Sequence, residues 1–303
     1  MTPAPKFLTD TVLICLVCTD IDKTVRRCQD LLGIGPWEIY DFVPPLQHDT
    51  KLRGRDEPYT MRVAFGGVGS VGWSFLEPKA GSSIYREFLT SRGAGMHHAA
   101  FLHAGLSYPE AIGEFEKRGF PMVQQGSYCG RYCYFDTRDR AQMIFELVED
   151  PDAIMQGLVY RYPDGANGNA AAPAFDATRA IGLVTADLDA TLSAYNALGI
   201  GPWTVDQPEG HGGVRCAHVQ VGRCAFELVQ PGRGDSLYRE YLDRRGPRVH
   251  HLTMGHSGLG YDECKAQFAA RGIAAIGETR DGNERACYLE TESILGLRLR
   301  ITD

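Results

Sequence analysis

Short apolar runs alternate along the chain with stretches whose apolar residues recur at helical spacing, and the alternation itself repeats. Residues 12–18, "VLICLVC", form an apolar run bounded by the acidic turn "TDID", a pattern that predicts a buried strand leading into a helix. The same pattern returns from Ala180 as "AIGLVTADLDATLSAYNAL", and both copies end in the break "GIGPW". Asp20, Asp22 and Trp37 of the first copy thus reappear as Asp187, Asp189 and Trp203. Further on, "SFLEPKAGSSIYREFLTSRGAGMHH" matches "FELVQPGRGDSLYREYLDRRGPRVHH", so that Pro78, Ser83, Tyr85, Arg86, Glu87 and His98 recur as Pro231, Ser236, Tyr238, Arg239, Glu240 and His251. After each His-His pair come a short strand, a helical stretch ("SYPEAIGEFEKRGF" or "GYDECKAQFAARGI") and further strands ending in "MIFELVE" or "GLRLRIT". Strand, helix and strands therefore occur four times, which makes the chain a tandem duplication of a unit that is itself double.

The spacing between the copies shortens after Trp37, so the first copy carries an insertion, most simply within "DFVPPLQHDTKLRGRDEPY". Its Pro, Gly and charged residues predict a surface loop or lid. The Gly, Asn, Ala and Pro content of the segment between the copies predicts a linker. The expected domains are 1–150 and 176–303, joined by 151–175.

Composition narrows the class. At 303 residues, 44% hydrophobic and 23% charged, the chain suits a globular protein of about two domains. A net charge of −7 without clustered Lys and Arg argues against a nucleic-acid partner. The apolar run near the N-terminus is too short to span a membrane, and nothing there resembles a secretory signal. Nine cysteines without framework spacing fit a reducing, cytoplasmic setting. Cys15 and Cys18 form a CxxC inside a strand-like run, with no second pair to complete a zinc site.

Taken together, "GIGPW", "FELVQP", "SLYREYL", "GMHHAAF" and "IFELVE" resemble the vicinal oxygen chelate superfamily of glyoxalase I, methylmalonyl-CoA epimerase, the extradiol dioxygenases and the bleomycin-resistance proteins. The resemblance covers nearly the whole chain. It implies an α+β fold of four βαβββ modules, paired so that two modules curl their sheets around one open cavity. In the family's metal-using members, four ligands come from the first and last strands of two paired modules. Carried over, those positions are Leu13 and Ser74, His98 and Glu146, Ala180 and Glu227, and His251 and Arg300.

Two module pairings are open. Pairing in sequence order leaves each cavity with one histidine and one carboxylate, His98 with Glu146 and Glu227 with His251. An exchanged pairing, as in glyoxalase I, gathers His98, Glu146 and Glu227 in one site and Leu13, Ser74, His251 and Arg300 in the other; we favour it because it concentrates the ligands in one working cavity. His98, Glu146 and Glu227 are then candidate ligands of a divalent metal (Zn, Ni, Co, Mn or Fe(II)), and Glu146 or Glu227 a candidate base. The implied activity is metal-assisted proton abstraction from a small oxygenated metabolite by an isomerase, epimerase or lyase, acting as monomer or homodimer. The alternatives are a metal-free pocket in which His98 and Glu146 form an acid–base pair or only bind a ligand, and an extradiol-type dioxygenase. His48, on the insertion, is read as an exposed loop residue. His97 and His250 are expected to face away from their neighbours, since successive strand side chains alternate. Tyr85, Tyr238, Arg86, Arg239, Trp37 and Trp203 are assigned packing roles.

Overall fold

A computed structural model describes residues 6–150, 152–163, 174–206, 213–234, 236–256, 258–281 and 284–303. Module one comprises β1 (Leu8–Val17), α1 (Ile21–Arg27), β2 (Trp37–Phe42), an inserted hairpin of β3 (His48–Leu52) and β4 (Arg55–Asp56), β5 (Thr60–Val68) and β6 (Val71–Ala80). Helix α2 (Ile84–Arg92) leads to module two: β7 (Gly95–His103), α3 (Tyr108–Lys117), β8 (Met122–Ser127), β9 (Arg131–Phe135), the turn α4 (Arg138–Ala141) and β10 (Ile144–Val148). After β11 (Leu158–Tyr162), module three is β12 (Ala177–Val184), α5 (Leu188–Ala197), β13 (Thr204–Asp206), β14 (Arg215–Val221) and β15 (Cys224–Gln230). Helix α6 (Leu237–Arg245) leads to module four: β16 (Arg248–Gly255), α7 (Tyr261–Ala270), β17 (Ala275–Asp281), β18 (Glu284–Leu289), the turn α8 (Glu292–Leu295) and β19 (Arg298–Thr302). The fold is α+β, with two curled mixed sheets.

The repeated residues are those that start helices. Asp20 and Asp187 cap α1 and α5, accepting from Lys23 N at 2.9 Å and Ala190 N at 3.0 Å. Ser83 and Ser236 cap α2 and α6 in the same way. Each cap satisfies an N–H that the helix cannot, which is why the side chain must be a short acceptor. Arg86 and Arg239 bind the carbonyls of the preceding loops, Lys79 and Gly81 in one copy and Pro231 and Gly232 in the other. Trp37 and Trp203 each donate an indole N–H back across the break, to Ile34 O and Ile200 O. The copies differ in one backbone detail. Asp20 and Asp187 are 167 positions apart but Trp37 and Trp203 only 166, and the extra residue of the first copy is taken up in a π turn, Cys28–Leu32, that extends α1.

Modules pair in sequence order. Strand β1 runs antiparallel to β7 within an eleven-stranded sheet of order β11-β2-β5-β6-β1-β7-β10-β9-β8-β3-β4, and β12 runs antiparallel to β16 within an eight-stranded sheet of order β13-β14-β15-β12-β16-β19-β18-β17. The exchanged arrangement favoured from sequence is therefore not the one the chain adopts. Nor is the insertion a loose loop. Strand β3 pairs with β8 at the far end of the sheet from β2, although only residues 43–47 join them, a link that reaches roughly 20 Å. The two ends of the sheet are thereby drawn together, and the rings of Phe42 and Tyr128 stack across the gap with centroids 3.7 Å apart. Within the segment read as a linker, β11 pairs with β2 as the edge strand of the first sheet; residues 151 and 164–173 lie outside the described ones.

The convex faces of both sheets and the helices share one core. Phe101 of the first sheet stacks on Phe226 of the second, with centroids 6.0 Å apart. Buried Trp73 donates to Thr178 Oγ1 at 2.8 Å, and Arg223 grips Asp10 beside Gly222. The concave face of the first sheet carries a second, aromatic cluster. Cys15 belongs to that cluster and Cys18 to the shared core, so the CxxC points its thiols to opposite sides, and all nine cysteines are free thiols. Among the described residues no helix is long and apolar enough to cross a membrane. Gly222 has φ +62°, and a Cβ there would meet the Asp10 backbone at 2.5 Å. Gly222→Ala is expected to lower stability by about 1–3 kcal/mol, read as an earlier urea midpoint; an unchanged midpoint would show that this interdomain clamp contributes nothing.

Candidate active site

Sequence-order pairing puts the two histidines of the repeat in separate cavities. Cys15 lies directly opposite His98 across β1 and β7 and beside Ser74 of β6, while Ile144 of β10 lies opposite His98 on its other side. The second domain repeats this frame with Gly182, Glu227, His251 and Arg298. The same inward positions thus hold different residues: Leu13, Cys15, Ser74, Ile144 and Glu146 in one cavity, against Ala180, Gly182, Glu227, Arg298 and Arg300 in the other.

In both domains the strand bearing the histidine pair is bulged. Cys15 pairs with His98 but Leu16 with Met96, and Gly182 pairs with His251 but Leu183 with Val249, which leaves His97 and His250 as the extra residues. A bulge re-aims a side chain. Instead of facing away, His97 brings its Nδ1 to 2.8 Å from His98 Nδ1, and His250 Nδ1 lies 3.0 Å from His251 Nδ1. Tyr85 and Tyr238, counted from sequence as packing residues, are the rings these histidines rest on.

The first domain encloses a cavity of about 400 Å3, lined mainly by apolar and aromatic side chains, with His98 and Glu146 on its wall. Both are nearly sealed from solvent, at 2% and 5% exposure, and His98 Nε2 lies 3.2 Å from Glu146 Oε2. Burial alone would drive His98 neutral, but the neighbouring Cys15 sulfur and the Glu146 carboxylate outweigh it and hold the imidazole up to about 10. His97 goes the other way, held well below its usual value by burial and by the charges of His98 and Arg138. Tyr59, Tyr132 and Tyr134 are pushed up by burial and stay neutral. Gln47, on the link to the inserted hairpin, closes the roof: its amide oxygen accepts from Tyr132 at 3.1 Å and its nitrogen donates to the Phe42 and Tyr59 carbonyls.

Glu227 does not join this site. It belongs to the second sheet, where it accepts from His251 Nε2 at 3.1 Å and lies 3.8 Å from Arg300. That reach is possible because the intervening residue is Gly182, where a Cβ would sit 1.9 Å from His251 Cε1. His251 is lowered, first by burial and further by Arg300, despite its carboxylate partner. Glu227 stays below the usual carboxylate range because His251 and Arg300 overcome the effect of burial. Two His–Glu pairs of similar length thus shift in opposite directions: His98 is raised, His251 lowered.

The expected metal set of His98, Glu146 and Glu227 is accordingly not assembled. Each cavity offers one imidazole and one carboxylate, and among the described residues no cluster of three or more His, Cys, Asp or Glu side chains could hold an ion. Catalytic divalent metals normally take three protein ligands, and Leu13 and Ser74 do not supply the third. The extradiol alternative wants two histidines and a carboxylate; in this cavity the second histidine, His97, lies with its Nδ1 against His98. His48 is exposed on β3 and paired with Asp49. Sequence reading missed Cys15 as a cavity residue; the signal available was its alternation with Leu13 on one strand face.

The sequence profile of the glyoxalase/bleomycin resistance protein/dioxygenase superfamily matches residues 14–135 and 179–288, one stretch in each half. No curated protein matches the sequence. Among solved structures, a mutant of 4-hydroxymandelate synthase from Streptomyces coelicolor aligns over 98% of this chain and 93% of its own, with TM-score 0.66 and 13% identity. A xylose isomerase-like TIM barrel/4-hydroxyphenylpyruvate dioxygenase fusion protein aligns over the whole of this chain and 50% of its own, at TM-score 0.63 and 13% identity. Methylmalonyl-CoA epimerase from Streptomyces coelicolor covers 41% of this chain and 94% of its own at 27% identity, with TM-score 0.36. At these identities the two longer likenesses speak for the fold, and with the profile matching both halves, the chain belongs to the glyoxalase/bleomycin resistance protein/dioxygenase superfamily.

Proposed function

We propose that the first domain is a metal-independent acid–base enzyme site, an isomerase, epimerase or lyase that removes a proton from the carbon beside a carbonyl of a small uncharged metabolite. The observation that carries the reading is the buried His98–Glu146 pair at the wall of a cavity whose other ligand positions are Leu13 and Ser74. Proton abstraction needs a base and a means of stabilising the enolate oxygen. Glu146 is the base. His98 does what a Lewis acid would otherwise do: its Nε2–H turns from Glu146 to the substrate oxygen as negative charge grows there, and a charged donor in a dry cavity is worth far more than in water. The proton then returns to the other face of the carbon, or to the neighbouring atom of the enolate.

The cavity also supports the substrate class. Its size suits a compact molecule, and its aromatic lining with neutral phenols favours an apolar or aromatic skeleton. Arg131 at the mouth is already engaged by Glu149, which argues against a phosphate-bearing handle.

Incubating the protein in D2O with a panel of small ketones and aldehydes is expected to exchange the α-hydrogen of at least one member, followed by proton NMR, and to do so equally after exhaustive chelation. Glu146→Gln should slow that exchange by roughly 10²–10⁴-fold. Full exchange by this variant, or loss of exchange on chelation, would contradict the assignment.

The pH dependence has a definite sign. A histidine raised from about 6.5 in the unfolded chain to about 10 in the folded one stabilises the fold below the lower value and loses that contribution as pH climbs to the upper. Exchange should therefore persist through pH 8 and decline towards pH 10. His98→Gln should remove the alkaline loss of stability that the pair causes, seen in urea midpoints across that window. A decline centred near pH 6.5 would show that His98 is not held charged.

A further inference from the structure

The His98 and His251 rings have the same neighbours on two sides, a histidine at Nδ1 and a glutamate at Nε2, yet the histidines behind them face different groups. The difference lies one residue further back. His250 Nε2 faces Arg298 Nη1 at 3.3 Å, and Arg298 is itself buried and fixed by Glu290 and Glu292. A guanidinium can only donate, so His250 Nε2 must accept. Its single proton then sits on Nδ1 and is donated to His251 Nδ1. With that nitrogen occupied as an acceptor, His251 carries its own proton on Nε2, bonded to Glu227, and has no site for a second proton unless the histidine–histidine bond breaks.

In the first domain the counterpart of Arg298 is Ile144, placed opposite His98 as Arg298 is opposite His251. His97 Nε2 is buried and no donor bonds it, while the Ile84 backbone favours the protonated ring, so nothing forces that nitrogen to accept. His97 can hold its proton there and offer Nδ1 as the acceptor, and His98 then donates from both nitrogens, to His97 and to Glu146. Resting on the reading of His98 as the electrophile, we propose that the residue opposite the cavity histidine on the last strand, Ile144 or Arg298, sets the direction of the histidine–histidine hydrogen bond and thereby whether that histidine donates or accepts at Nδ1.

The groups packed around each ring are compatible with this. His97 is flanked by Tyr85, Phe88 and Tyr134, with Arg138 opposing a second charge on it. His98 faces Cys15, Tyr85, Tyr134 and Glu146. His250 touches Tyr238, Tyr241 and Tyr288, with Arg244 and Arg298 opposing its protonation. His251 faces Tyr238, Tyr288 and Glu227, with Arg300 opposing its charge. Ile144 and Arg298 are positioning residues, since neither lies on the route of the proton transferred to Glu146.

Nitrogen-15 NMR of the imidazoles in the intact protein at pH 7.5 tests the assignment. The expected pattern is two N–H groups on His98, one on His97 Nε2, one on His250 Nδ1 and one on His251 Nε2. Arg298→Met should move the His250 proton to Nε2 and raise the His251 midpoint by roughly one pH unit or more, whereas Arg298→Lys, which still donates, should keep the parent pattern. The same protonation state for His98 and His251, or an unmoved His250 proton in Arg298→Met, would overturn the inference. These spectra need no turnover, so a doubly protonated His98 in a protein that exchanges no substrate hydrogen would sink the proposed reaction and leave this inference standing.

Discussion

The antiparallel contact between the first strands of consecutive modules, β1 with β7 and β12 with β16, is the constraint on which the molecule depends. It decides which modules share a sheet, and so which inward residues meet. Once β1 lies against β7, His98 can have Cys15 and Glu146 as neighbours but not Glu227. The same contact carries the bulge that turns His97 and His250 back towards their partners, so module pairing and histidine geometry come from one strand interface.

From that common frame the two domains diverge through few positions. Glycine at 182 lets a histidine reach a carboxylate across the first strand, while cysteine at the matching position 15 accompanies a histidine whose carboxylate stands on the last strand. Two inward arginines on β19, where β10 has isoleucine and glutamate, reverse the charge balance around the histidine. Duplication thus produced two cavities whose histidines shift in opposite directions. The inserted hairpin adds a further asymmetry, since among the described residues only the first sheet is tied end to end, by β3, and roofed by Gln47, Phe42 and Tyr128.

Much of this was legible in the amino-acid pattern, and what was not had a physical reason. Repeated caps and breaks such as Asp20 and Asp187, Ser83 and Ser236, and Trp37 and Trp203 exposed four modules because local hydrogen bonds demand those residue types. Module pairing was not legible, because sequence-order and exchanged arrangements use the same strands with the same apolar faces; the expectation that Glu227 would join His98 failed there. Strand alternation misplaced His97 and His250, since a bulge breaks the period of two without leaving a Gly or Pro to mark it. The insertion read as a loop because its strands are short, exposed and charged, and only their distant partner β8 makes them part of a sheet.

The proposed chemistry rests on the buried His98–Glu146 pair, at two positions where the family resemblance implies metal ligands. Neutron diffraction from the protein at pH 7.5 would locate the hydrogens directly. The account predicts a hydrogen on each ring nitrogen of His98, none on the Glu146 carboxylate, and no ion between them. A singly protonated His98 beside a protonated Glu146, or a metal bound by the two side chains, would contradict it.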